Sequence, residues 1–320
     1  MRIPLIRPLA TLVLLIASHH LYAASSFNEV KNVVFGPPPP PQTDQEALEQ
    51  SVYAQGLLPH YKVAVSNFIS AGVNVLEQDA KRTIADTSDY FPRIEKLVHS
   101  NGICFAGTWN IDTDTPYTGY FSKGSQGLLI ARASTALSET ERGQPRAFGF
   151  AGKLYPTLDP NQTADTANFF LVDVLMGAQR NRYLDVQMTN QPLLGFRWSV
   201  LYLAYRVAIA FSKADTNPGY RPLYPISELG LAPGVSAVTP KYMMLEADPS
   251  TPRNDDVDFR DELNIEKHGG APLLFDILVS DTTSNRGSSS WEKIGTIQLD
   301  ESTVSYGCDR RLHFHHPKMM

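Results

Sequence analysis

From Gly102 to Asp173 the chain is a succession of short apolar or alternating runs: Ile103 to Trp109, Leu128 to Ala133, Phe148 to Tyr155 and Phe169 to Val174. Glycines, prolines and polar clusters separate them. Runs of this length, bounded in this way, predict antiparallel strands of a barrel or sandwich, with side chains alternating between two faces. Further runs at Tyr242 to Leu245, Leu273 to Val279 and Ile294 to Leu299 predict more strands. Two segments break the pattern. Thr43 and Glu46 form a capping box, and apolar residues at Val65, Phe68 and Ile69 predict a helix running on through Leu76. Leu193 to Phe211 is long and apolar enough for a second helix, and Arg197 and Arg206 within it argue against a membrane span. No internal repeat is present.

The beginning of the chain reads differently. Arg2 and Arg7, an apolar run from Pro8 to Ala17, and the small residues Ala23, Ala24 and Ser25 are the three parts of a secretory signal. The run is too short for a comfortable membrane span. Gly36 and the prolines 37 to 41 then predict an extended spacer. The expected organisation is a signal peptide over 1–24, a proline-rich spacer over 25–42 and one folded domain over 43–320. Export, to a periplasm or to the outside, follows from the leader.

Charge narrows the partners. With a net charge of −5 and only 19% charged residues, the chain offers no basic surface for nucleic acid and no polybasic anchor for lipid. A small-molecule substrate is the expected partner. The cysteines are Cys104 and Cys308. Two cysteines are too few for a disulfide scaffold but allow one bridge in an oxidising compartment. Two separate buried thiols are the slightly favoured alternative.

His99 is the one histidine between Glu95 and Phe170, and Ser100-Asn101-Gly102 follow it at the mouth of a strand. Alone, such a histidine is more often structural than catalytic. Its surroundings change that. Val98-His99-Ser100-Asn101-Gly102 leads into Ala106-Gly107-Thr108-Trp109, and Tyr117-Thr118 with Phe121 comes next. Then follow Ile130-Ala131-Arg132-Ala133-Ser134-Thr135, Gln144-Pro145-Arg146-Ala147-Phe148, Lys153-Leu154-Tyr155, and Phe169-Phe170 with Asp173. In this order and spacing the segment resembles the catalase superfamily of haem enzymes. It covers about a quarter of the chain. Trp291 to Leu299 and Leu312 to Pro317 are similar to late catalase segments.

The resemblance implies an α+β fold with an antiparallel β-barrel core of catalase type and peripheral helices. It implies haem as cofactor and hydrogen peroxide or an organic hydroperoxide as substrate. His99 stands where the family carries its distal acid–base histidine, and a near-neutral imidazole suits the proton transfer that splits an O–O bond. Ser134 resembles the serine that orients that ring. Asn168 is the candidate to polarise bound peroxide, although the family's asparagine sits a few residues earlier, where this chain has Ala164 and Asp165. Lys96, Arg132 and Arg146 are the expected cofactor-binding cations, with Lys96 a point charge where the family has a forked arginine. Phe170 is the expected aromatic wall.

The family's proximal iron-ligating tyrosine would fall beyond Met320, and Tyr306 lies in the wrong order to replace it. His315 and His316 are the nearest alternative iron ligands, although a terminal histidine cluster is more often a solvated tail. In length the chain is similar to the small catalase-related peroxidases. The same resemblance leaves two other outcomes open: a catalase fold without haem that binds lipid or a partner, and an enzyme that rearranges lipid hydroperoxides. It also leaves room for a homo-oligomer.

Overall fold

The computed structural model describes residues 25–38, 40–42, 44, 47, 50–51, 101–135, 148–172, 223–225, 230–231, 238–251, 258–281, 291–312 and 314. The strand runs expected from sequence are all present. They form β2 (Gly102–Ile111), β3 (Gln126–Thr135), β4 (Phe148–Leu154), β6 (Ala167–Val172), β9 (Tyr242–Ala247), β10 (Leu273–Ser280) and β11 (Glu292–Thr303). Short strands complete the set: β1 (Ser25–Ser26), β5 (Thr163–Ala164), β7 (Tyr224–Pro225) and β8 (Gly230–Leu231).

All pairings are antiparallel, in the order β7-β6-β4-β3-β2-β11-β10-β9, with β8 also beside β6. The order returns on itself. Leu223, the residue before β7, donates its N–H to the Leu245 carbonyl of β9 at 2.7 Å and accepts from the Leu245 N–H at 3.1 Å. That exchange nearly closes a barrel and covers the free edge of β9. The architecture is therefore α+β, an antiparallel β-barrel with peripheral helices.

Alternation sorts the side chains. One face of each strand fills the barrel, with Ile103, Phe105, Trp109, Leu129, Phe150, Phe169, Leu245, Phe275 and Ile297 among the buried residues. Phe150 sits among rings, its centroid 6.1 Å from Phe105, 6.1 Å from Phe169 and 5.8 Å from Phe275. Gly152 gives Phe169 its place, because a Cβ there would lie 2.2 Å from the Phe169 ring. The space left amid Phe105, Phe148, Phe150 and Phe275 is about 10 Å³, room for one water. Among the described residues the barrel interior is a packed core.

The other face of β2 and β3 is covered by two helices, α1 (Phe27–Phe35) and α3 (Tyr306–Arg310), while α2 (Phe259–Glu262) lies at the barrel end with Phe259 against Phe148. Here the structure corrects the sequence reading. Residues 25–35, expected as spacer, belong to the folded domain. Ser26 caps α1 by accepting from the Glu29 N–H, and the Glu29 carboxylate accepts from the Ser26 N–H, a reciprocal capping box. Phe27, Val30 and Val34 then bury against Ile130, Tyr155 and Leu312. The expected helices over 43–76 and 193–211 lie largely or wholly outside the described residues, as does the leader.

Candidate functional site

Cross-strand partners in a sheet share a face, so the register fixes which predicted residues meet. On the outer side of the barrel three ladder rows run from β2 across β3 and β4 to β6. The first is Gly102, Ser134, Gly149 and Val172. The second is Cys104, Arg132, Ala151 and Phe170, and the third is Ala106, Ile130, Lys153 and Asn168. Four of the residues singled out from sequence, Arg132, Ser134, Asn168 and Phe170, therefore lie on one outer face. Lys153, not singled out, joins them. His99, Lys96, Arg146, His315 and His316 lie outside the described residues.

The floor of this face is small and flat. Gly149 and Ala151 stand between the polar residues of β3 and the aromatic Phe170 of β6, and all three, with Val172, are half-buried. Ser134, Arg132, Lys153 and Asn168 around them are buried. Two strand spacings separate β3 from β6, about 10 Å.

The walls come from the end of the chain. Cys104 and Cys308 form a disulfide, with Cα atoms 5.7 Å apart, so the two thiols favoured on sequence grounds are instead one bridge. Beside it, the Arg132 guanidinium donates to the Asp309 carboxylate at 2.7 Å, with the two side chains 5% and 0% exposed. Gly102 makes room for that guanidinium, because a Cβ would lie 2.7 Å from its central carbon. Farther on, Phe314 meets Phe170 edge-to-face at 6.0 Å and lies 5.9 Å from the Lys153 ammonium. Ser305 caps α3 by accepting from the Cys308 N–H, and its hydroxyl donates to the Val34 carbonyl, which ties α3 to α1.

Asn168 is buried and its amide donates weakly to Thr166, at 3.2 Å to the hydroxyl and 3.4 Å to the carbonyl. Its amide oxygen has no hydrogen-bond partner among the described residues. Turning the amide over would only move the deficit to the other end. A buried polar group left this way invites a ligand.

These residues fit a flat, largely apolar prosthetic group in shape: a small-residue floor, an aromatic wall at Phe170 and buried polar groups at the rim. At Arg132 the fit includes a competitor, since the cation expected to meet a haem carboxylate already carries Asp309. Neither the Arg132–Asp309 pair nor the Lys153–Phe314 contact had a local sequence signal. Asp309 is one acid in Cys308-Asp309-Arg310, and its partner is 177 positions away. No group of three or more metal-ligating side chains occurs among the described residues.

No protein-family model matches the chain, and no curated protein matches its sequence. Among solved structures, one described as the structure of a bacterial catalase aligns with a TM-score of 0.45 at 13% sequence identity. The alignment covers 87% of this chain and 60% of that one, so the chain spans under two thirds of that catalase's length.

Proposed function

We propose that the chain is an exported, catalase-like haem protein that consumes hydrogen peroxide or an organic hydroperoxide over the outer face of β4 and β6, beside the buried Arg132 and Ser134 of β3. One observation carries this reading: the sheet register gathers Arg132, Ser134, Asn168 and Phe170, which come from separate sequence motifs, on one face. The disulfide supports export, because such bridges persist in oxidising compartments.

Phe170, Ala151 and Gly149 would hold the ring, with Lys96, Arg132 and Arg146 toward its carboxylates. When bound, haem iron supplies the chemistry of O–O cleavage. The chain's own groups move the proton. His99 takes it from the incoming peroxide on an imidazole nitrogen and returns it to the departing oxygen. Ser134 stands opposite Gly102, and the resemblance assigns its hydroxyl the orienting of the His99 ring. Asn168, whose amide oxygen has no hydrogen-bond partner among the described residues, would polarise the bound peroxide.

The Arg132–Asp309 pair favours a second reading, a haem-free binding module on the same fold, because it neutralises the cation assigned to the cofactor. Absorption spectroscopy of protein exported under haem-replete conditions separates the two. A Soret band with peroxide turnover supports the first, and no bound haem supports the second. In the first case His99→Ala should keep the band and lose about a hundredfold to ten-thousandfold in turnover.

A further inference from the structure

We propose that the fold guards the junction between leader and mature chain, so that the leader is removed only before β1 and α1 dock. The inference rests on the export reading and needs no haem. With a leader over 1–24, the bond to be cut is Ala24–Ser25, and a cut one residue either way falls at the same strand. Hydrolysis there breaks the C–N bond and adds water, leaving a carboxylate on Ala24 and an ammonium on Ser25. A peptidase holds the segment around its scissile bond extended in a cleft, so that segment must first be exposed and free of backbone partners.

In the folded chain it is neither. Ser25 and Ser26 are buried and pair antiparallel with Ala164 and Thr163 of β5. Ser26 is also the cap of α1, bonded in both directions to Glu29. The Asn28 N–H donates to the Pro160 carbonyl at 2.8 Å, its side-chain amide donates to Asn161 Oδ1 at 2.8 Å, and Phe27 meets Tyr155 edge-to-face at 5.7 Å. No slack separates the junction from these contacts. Presenting Ser25 to a peptidase means parting β1 from β5 and uncapping α1 together, so the cleavable form is a rare local opening. The partners beyond α1 lie far along the chain, Asn161 being 133 positions from Asn28. While the chain is still crossing the membrane the guard cannot exist, and it closes only after β5 has followed. Leader removal therefore has a time window set by the fold.

The full-length precursor, diluted from urea, tests this with detergent-solubilised signal peptidase added at the moment of dilution or after refolding, and intact mass as the readout. The freshly diluted chain should be cut, and the refolded chain cut about tenfold more slowly or slower still, because cutting follows the open fraction. A short Gly-Ser insertion between Ala24 and Ser25 supplies slack. It should restore cutting of the refolded precursor with the melting temperature unchanged. Ser26→Ala, which removes the cap, should speed cutting of the refolded precursor several-fold. Equal rates before and after refolding, or a refolded precursor that stays uncut with the insertion, would overturn the proposal. No cutting of the freshly diluted chain would instead refute the leader, and the proposal falls with it. Should the precursor fail to refold, amide exchange in the chain beginning at Ser25 gives the comparison. Ser26 and Asn28 amides that exchange as slowly as those of β2 and β3 support the guard, and fast exchange overturns it.

Discussion

Cys104 and Arg132 stand directly opposite each other on β2 and β3, and the residues they hold, Cys308 and Asp309, are consecutive in α3. One ladder row thus grips one helical turn twice, once covalently and once by charge. The bridge joins positions 204 apart, so it restricts the unfolded chain over most of the domain.

Removing that bridge should lower stability by about 3–5 kcal/mol, as expected for a long closed loop. Urea unfolding of the wild type with and without reductant, and of Cys104→Ser with Cys308→Ser, provides the check. Coincident midpoints would mean that the bridge contributes nothing to the folded state.

Inside the barrel, Gly152 is the tightest test of the packing around Phe150. Gly152→Ala places a methyl where the Phe169 ring lies, 2.2 Å from its nearest carbon. The Phe169 ring must give way to it, so a loss of about 1–3 kcal/mol is expected from overpacking. A chemical-denaturation midpoint equal to that of the wild type would contradict the ring arrangement.

How much of this was legible follows from how local each signal is. Strands such as Leu128 to Ala133 announce themselves by run length and bounding glycines, and the structure extends them by only a few residues. The α1 helix was hidden by the prolines that follow it, although Ser26 and Glu29 carry the spacing of a capping box. The shared outer face of Arg132 and Phe170 depends on strand register, which no single run reveals. Asp309 could not be foreseen at all, because its role comes from a strand far away in sequence.

Alkaline pH offers a third test. Burial, with the nearby Asp165 charge, pushes the Tyr120 hydroxyl well above the usual tyrosine range, and that hydroxyl donates to the Asp165 carbonyl. A folded value above the unfolded one means that stability is fully present below about pH 10 and falls as pH rises beyond it. Tyr120 also stacks on Trp109 at 6.1 Å, where the indole N–H donates to the Tyr155 carbonyl at 3.0 Å. Tyr120→Phe should therefore flatten the alkaline loss of stability followed through tryptophan fluorescence. An equally steep loss in the variant would place the responsible group elsewhere.

The cofactor is proposed to sit on the outer face, where Ala151 lies half-buried between Arg132 and Phe170 in one row. The most direct measurement is a haem titration, followed at the Soret band, of the wild type and of Ala151→Trp. The tryptophan would rise over the floor from a half-buried position, leaving the barrel core untouched. The expected result is a saturable Soret band in the wild type and its loss in Ala151→Trp, with the circular dichroism and melting temperature of the two proteins alike. A folded Ala151→Trp protein that binds haem as the wild type does would contradict the placement of the site on this face.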